Sequence, residues 1–427
     1  VTTLASPTSQ SRLSVDDLRS MYFDLSLHEI GRRAHALTMR LHPEDYRTYV
    51  VDRNINYANW CTARCIFCNF KADAPGMKTG RTDLPEGYTL TFDQIAEKIR
   101  ELVAIGGTQI LMQGGLVPKD GAAGLRFDWY LDLMKFIKRE FPQVHVHAFS
   151  PPEIFAFHEL FDMSIREVLE RLQDAGLDSV PGGGGEILSD RVRNRIGQGK
   201  CLSQPWLEVM RQCHILGMKT SCTMMFGHIE TLDERFEHLR LLRELQDESL
   251  ARGNGGGFSA YICWTFQPDD TPLGRMKKLD VSKPKTETLK TEMTASDTLA
   301  PADRDREAAE RSPGRQITKP SNTSRPVNDG EHLLLASANE YLTMNALSRL
   351  YLDNIPNIQS SWVTMGPKIG QLALFFGAND MGSVMMEENV VSKAGATYRL
   401  DEGMIRRLIE DAGWKAQKRN HYYQPID

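Results

Sequence analysis

Short β-branched runs alternate with longer amphipathic segments along most of this chain, and that alternation constrains the fold more than any other feature. Thr91 and Gln94 open a helical pattern whose apolar face is Ile95, Ile99, Leu102 and Val103, and Gly106-Gly107 ends it. The apolar run Thr108 to Gln113 then reads as a strand. The cycle continues with a helix over Phe127 to Glu140, a strand over Val144 to Phe149, a helix over Ser164 to Ala175 stopped by Gly176, and a strand at Asp178 to Val180. A helix near Pro205-Trp206, a strand at Thr220 to Phe226, a helix from Leu232 and a strand at Phe258 to Trp264 follow. Parallel neighbours need long crossovers, and those crossovers are right-handed helices. The predicted fold class is therefore α/β, a full or partial (β/α) barrel with a C-terminal α/β extension, with function at the carboxyl ends of the strands.

The flanks divide the chain further. Residues 1–13 form a polar tail, and residues 14–47 hold two helices opened by Ser14 with Asp17 and by Ser26 with Glu29. The barrel is assigned to 48–280, beginning with a strand from Thr48 to Asp52. Residues 281–330 are rich in Lys, Glu, Thr, Ser, Pro and Arg, with isolated Leu289, Met293, Leu299 and Ile317, which predicts a disordered insertion. Order resumes over 331–427 with a long helix at His332 to Asp353, a strand-like run at Ile358 to Thr364 and a helix from Pro367 to Phe376. This last module is expected to contact substrate and close the barrel.

The 51 basic and 56 acidic residues leave a net charge of −5, which favours a small-molecule substrate over nucleic acid. No apolar run reaches the roughly 18 residues of a membrane helix, and the polar start lacks the order of a secretion signal, so no membrane insertion and a cytoplasmic location are expected. Of seven cysteines, Cys201, Cys213, Cys222 and Cys263 are scattered without ligand-like spacing and read as buried thiols. The other three crowd into Cys61-Thr62-Ala63-Arg64-Cys65-Ile66-Phe67-Cys68. Three thiolates so spaced wrap one face of an iron–sulfur cube and leave one iron open, whereas structural zinc needs a fourth ligand and no Cys or His lies nearby.

That spacing, with Phe67 before the third cysteine and a strand before the first, resembles the radical S-adenosylmethionine superfamily. The resemblance implies that superfamily's barrel, a 4Fe–4S cluster on Cys61, Cys65 and Cys68, and S-adenosyl-L-methionine held at the open iron. Gln113-Gly114-Gly115 and Gly227-His228-Ile229-Glu230 resemble its cofactor-binding segments, and the further candidate contacts are Phe67, Ser150, Glu186 after Pro181-Gly182-Gly183-Gly184-Gly185 for ribose hydroxyls, and Arg193 for a carboxylate such as that of methionine. Leu116 stands where the superfamily usually has an acid. The glycine pair also fits an ordinary tight turn, Arg193 a surface arginine, and Glu230 a helix-dipole partner. His228 is a candidate general base or a hydrogen-bonded rim histidine. Glu387 and Glu388 are further candidate bases.

Beyond the cluster the chain resembles the menaquinone-pathway cyclases that act on dehypoxanthine futalosine. The segments that carry this are Asp52 to Tyr57, Gly106 to Gly115, His147 to Pro151, Trp264 to Pro268, Gln359 to Thr364 and Gly377 to Ser383. Aminofutalosine synthases look similar but differ at Met112-Gln113-Gly114-Gly115, Ala148 to Pro151 and Gln359 to Trp362. The resemblance implies cleavage of S-adenosylmethionine, removal of the ribose C4′ hydrogen and closure onto the aromatic ring to give cyclic dehypoxanthine futalosine. It also implies an electron donor such as flavodoxin or ferredoxin. Gln359 and Ser361, alternating on a strand, and Asn379, Asp380 and Ser383, in a polar turn, are the expected substrate contacts. Aminofutalosine synthase or another radical enzyme that forms C–C bonds, a non-enzymatic iron–sulfur carrier or sensor, and a zinc-binding interaction protein are the competing readings.

Overall fold

Side-chain caps place most helices where the sequence puts them. The computed structural model describes residues 12–74, 80–81, 83–117, 125–281, 325–387, 389 and 391–426. The candidate base Glu388 and nearly all of the expected insertion lie outside the described residues. Ser14 and Thr91 form reciprocal capping boxes with Asp17 and Gln94, starting helices Val15–Asp24 and Phe92–Ala104, while Ser26 caps Leu27–Leu41. Each cap satisfies backbone N–H groups that would otherwise have no partner.

The strands form a ring. Tyr46–Val50 runs into Asp52–Asn56, and the two halves serve different neighbours. The first pairs in parallel with Asp380–Ser383 on one side and Lys415–Lys418 on the other. The second pairs with Gln109–Gln113, which pairs with His145–Ala148. Single parallel bridges, His147 to Ser179 and Val180 to Thr220, lead on to Lys219–Phe226. Gly257–Thr265, Asn357–Gln359 and Asp380–Ser383 then bring the order back to its start. The ring is thinnest at residues 178–180, where bridges replace a full strand. Between strands run crossover helices such as Phe127–Glu140, Ile165–Ala175, Ser203–Ile215 and Leu232–Arg252. Their apolar faces and the outward strand residues, among them Ile110, Val146, Ala148 and Leu239, make the core.

Several expectations need correction. The C-terminal α/β region adds strands to the ring itself. Its long helix is Ala338–Tyr351, capped by Ser337, so it starts later than His332, because Leu333 is held in a bridge to Lys278. The run from Ile358 to Thr364 is a short strand, Asn357–Gln359, followed by the one-turn helix Trp362–Met365. Asn379, Asp380 and Ser383 do not form a turn, since Asp380–Ser383 is a strand. The insertion ends before 330: Arg325 donates to Tyr22 O, and buried Asn328 donates to His228 O. An additional helix, Pro151–Phe161, carries its own capping box from Ser150 to Glu153. No helix among the described residues is long and apolar enough to cross a membrane.

Candidate active site

One cavity of about 410 Å³ opens inside the ring, and the three clustered cysteines stand on its wall. Cys61 and Cys65 are buried and Cys68 is partly exposed. Their loop is pinned from two sides. Leu116 N donates to Cys61 Sγ at 3.4 Å while Thr62 N donates to Leu116 O at 2.8 Å. Arg64-Cys65 pairs antiparallel with Gly197-Gln198, and Ile66 N donates to Ile196 O at 2.8 Å. Around the thiols lie Ala63, Leu116 and Phe67, and no fourth thiol lines the cavity among the described residues. This donor set fits a 4Fe–4S cluster, for which the three thiols would supply three of the four iron ligands. Burial pushes the Cys61 and Cys65 thiols up, so the metal-free loop holds them neutral and loading a cluster must release protons.

The glycine pair after the second strand is sterically required. A Cβ at Gly115 would lie 2.0 Å from Trp60 O, and one at Gly114 would lie 2.4 Å from the Tyr57 ring. Gln113, Gly114 and Gly115 all line the cavity, as does Ser150. An acid does stand beside the glycine pair. Buried Glu153 accepts from Gly114 N at 2.9 Å, Tyr57 Oη at 2.6 Å and Ser150 Oγ at 2.6 Å. Opposite, Glu186 sits at a left-handed φ of 23° and pairs with Lys200 Nζ at 2.8 Å, which lies over the Phe67 ring at 5.5 Å. Glu186 and Phe67 thus both face the chamber.

Arg193 does not reach the chamber. Its guanidinium is buried against the carbonyls of Cys201, Gly184 and Gly185, so it ties down the glycine run and has no donor to spare for a carboxylate ligand. Glu230 and His228 are likewise walled off. Glu230 accepts from Gly227 N and His228 N and pairs with Arg235 at 2.7 Å, which in turn meets Glu340. His228 Nδ1 lies 2.8 Å from Ile229 N and 3.0 Å from Glu230 Oε2, and its Nε2 faces Met225 O at 3.2 Å, leaving no nitrogen for a substrate proton. Burial by itself would raise the Glu230 pKa, but His228, Arg235 and the backbone donors outweigh it and hold the carboxyl well below its ordinary 4.5. A depressed folded-state pKa gives stability that is full above the ordinary value and is lost as pH falls toward the folded one. Unfolding midpoints measured from about pH 5 to pH 3 should therefore fall more steeply for the wild type than for Glu230→Gln.

Among the expected substrate contacts, Gln359, Ser361 and Ser383 line the cavity, although Ser361 caps a helical turn and does not alternate on a strand. Asn379 and Asp380 do not. Asn379 is spent on Arg349, Ile358 N and Asn357. Asp380 is fully buried and bound to Arg419 at 2.5 and 3.0 Å and to Thr48 Oγ1 at 2.6 Å. Glu387 is neutralised by Lys98 at 2.7 Å and Arg53 at 3.1 Å and does not line the cavity, which removes it as a base. The floor of the chamber is a surprise. Arg419, His421 and Tyr423 rise into it from the segment after Lys415–Lys418, beside Asp52, Gln109 and His147. The alternation Arg419, His421, Tyr423 and the pair His147 with His145 were the sequence signals for it.

Residues 55–242 match the radical SAM superfamily, and residues 331–427 match the CofH/MqnC C-terminal region. The chain belongs to the radical S-adenosylmethionine superfamily, in the branch that carries this C-terminal region. It is an enzyme of that type, with a 4Fe–4S cluster and S-adenosylmethionine as cofactors. Over 97% of its length it is 37% identical to the cyclic dehypoxanthine futalosine synthase of Halalkalibacterium halodurans, covering 92% of that protein. The synthase of the same name from Streptomyces coelicolor is 34% identical over 97% of this chain and 86% of its own. A relative named 5-amino-6-(D-ribitylamino)uracil–L-tyrosine 4-hydroxyphenyl transferase, from Methanopyrus kandleri, is 32% identical over 94% of this chain and 90% of its own. In fold the chain is similar to methylornithine synthase, with a TM-score of 0.59 at 15% identity over 95% and 94% of the two chains. The FeFe-hydrogenase maturase HydG from Carboxydothermus hydrogenoformans gives 0.61 at 11% identity over 96% and 77%.

Proposed function

We propose that this enzyme converts dehypoxanthine futalosine to cyclic dehypoxanthine futalosine in menaquinone biosynthesis, in the cytoplasm, with flavodoxin or ferredoxin as electron donor. The reading rests on one chamber lined both by the three clustered cysteines and by polar and aromatic side chains suited to that substrate. Cys61, Cys65 and Cys68 share its lining with Gln359, Ser361 and Ser383. Carboxamides of Asn54, Asn56 and Gln109 offer partners to sugar hydroxyls, while Phe70, Ile262, Trp264 and Trp362 offer flat apolar surface to an aromatic ring. The full-length likeness to two cyclic dehypoxanthine futalosine synthases supports the same reading.

When bound, the cluster and S-adenosylmethionine supply a one-electron cleavage and a carbon radical able to take a ribose hydrogen. The chain's part is positioning and exclusion. Gly114 and Gly115 let the backbone approach closely, Glu153 holds that backbone through Gly114 N while Tyr57 and Ser150 hydroxyls hold the carboxylate, and Lys200 with Glu186 braces the Phe67 side. The segment from Arg419 to Tyr423 closes the floor against water, which keeps reacting carbons within near-attack distance and away from other hydrogen donors. Anaerobic turnover of reconstituted enzyme with dehypoxanthine futalosine should give the spirocyclic product. Turnover with 5-amino-6-(D-ribitylamino)uracil and tyrosine, or with the aminofutalosine synthase substrate, in its place would refute the assignment.

A further inference from the structure

The proposed ring closure must discharge a proton inside the chamber. The new bond joins ribose C4′ to an aryl carbon. The C4′ hydrogen leaves in 5′-deoxyadenosine, the aryl hydrogen leaves as a proton, and the electron used to open S-adenosylmethionine is recovered when the ring regains aromaticity. Substrate and S-adenosylmethionine thus give spirocycle, methionine, 5′-deoxyadenosine and one proton. Of the bases expected from the sequence, His228 and Glu387 do not line this chamber and Glu388 lies outside the described residues, so the acceptor is sought among the described groups that do.

His147 lines the cavity, with Nε2 3.4 Å from Ser221 Oγ, another lining group. Its other nitrogen, Nδ1, is 2.6 Å from Ser179 Oγ. Ser179 Oγ is also 2.7 Å from His145 Nε2. His145 Nδ1 in turn lies 4.0 Å from Asp178 Oδ2, which already accepts from Lys138 Nζ at 2.5 Å and Val146 N at 2.7 Å, so the outlet there is solvent, the two side chains being 13% and 28% exposed. The atoms therefore run in single file, from the chamber to the outside, through opposite nitrogens of two imidazoles with one hydroxyl between them. Strand geometry creates this, because His145 and His147 are two residues apart and share a face, and the single bridge from His147 to Ser179 sets the hydroxyl between them. With Ser179 donating to His145 and accepting from His147, His147 Nε2 presents a lone pair to the chamber.

We infer that His147, Ser179 and His145 form the relay that carries the ring-closure proton out toward Asp178, with His147 Nε2 as its acceptor. The inference rests on the cyclase reading. Asp52, the other floor acid, is a dead end, since its oxygens are taken by Ser383 and by Gln109 at 3.0 Å. Burial, then His145 and Arg419, hold the His147 pKa well below its ordinary value, which suits a group that passes a proton on and does not store it. His421 stacks on His145 at 4.0 Å with 12° between the rings and leans on His147 at 4.5 Å, fixing both. The three imidazoles bring nitrogens within 4.8 Å of one another, but parallel stacked rings aim their in-plane lone pairs side by side and not at one point, which favours a relay over a metal site.

The test is single-turnover reaction of the holoenzyme with C4′-deuterated dehypoxanthine futalosine, for wild type, Ser179→Ala and His145→Phe. The second variant keeps volume and ring stacking while removing both nitrogens. Labelled 5′-deoxyadenosine should form in all three, while spirocycle per 5′-deoxyadenosine drops about 100-fold in the variants, the lower range of a positioned proton acceptor, with uncyclised or reduced material in its place. An unchanged ratio in both variants, or product and 5′-deoxyadenosine falling together in both, would overturn the relay. If the wild type itself makes no labelled 5′-deoxyadenosine, the cyclase reading fails and takes the relay with it.

Discussion

Replacing Cys61, Cys65 or Cys68 by Ala should reduce 5′-deoxyadenosine formation to background and iron from about four per chain to well below one. The structure gives the reason for so complete a loss. These three thiols stand on one wall of the chamber, and among the described residues no fourth thiol lines it to substitute for a lost ligand. The loop stays folded without the cluster because its backbone is held by Leu116, Ile196 and Gly197-Gln198, so unfolding midpoints should move far less than activity. Cys201→Ala is the control. Its carbonyl, and not its sulfur, carries the main contacts with Arg193, at 2.6 and 3.0 Å, and activity should be close to wild type. Anaerobically purified protein with stoichiometric zinc and no cluster signal in electron paramagnetic resonance would contradict this account.

The largest effect on stability is expected from Arg419→Met. Arg419 is buried in the floor, forked onto Asp380 at 2.5 and 3.0 Å and stacked over Tyr423 at 3.7 Å. Removing the guanidinium leaves a fully buried carboxylate with Asp52 close by, and breaking such a pair costs about 3–5 kcal/mol. Urea unfolding should show that loss. Adding Asp380→Asn to the variant should recover a good part of it, because the stranded charge is then gone. A loss under about 1 kcal/mol would mean that the pair is solvated and the floor open.

What the sequence made legible was local. Capping boxes at Ser14 and Thr91, the glycine stop at Gly176 and the helix over Phe127 to Glu140 all depend on neighbours a few residues away, and they stand as read. The cysteine spacing is equally local, and the three thiols do meet at one cavity. Ser150-Pro151-Pro152-Glu153 carries the same kind of signal, and it marks both the helix Pro151–Phe161 and the buried acid beside Gly114. Orientation was the harder matter. The direction of Arg193 is decided by the carbonyls of Cys201 and the glycine run, and that of Glu387 by Lys98 and Arg53 from distant elements. The floor was hidden for the same reason, since Lys415–Lys418 finds its partner in Tyr46–Val50 at the other end of the chain and only then delivers Arg419, His421 and Tyr423 inward.

The central claim is that the chamber holds ribose C4′ of dehypoxanthine futalosine where its hydrogen can be taken. Dehypoxanthine futalosine deuterated at C4′, turned over anaerobically by reconstituted enzyme, tests it through the mass of the recovered 5′-deoxyadenosine. One deuterium in that nucleoside, formed in step with the spirocyclic product, is the predicted result. Unlabelled 5′-deoxyadenosine alongside cyclised product, or an adenosyl group incorporated into the product with no free 5′-deoxyadenosine, would contradict it.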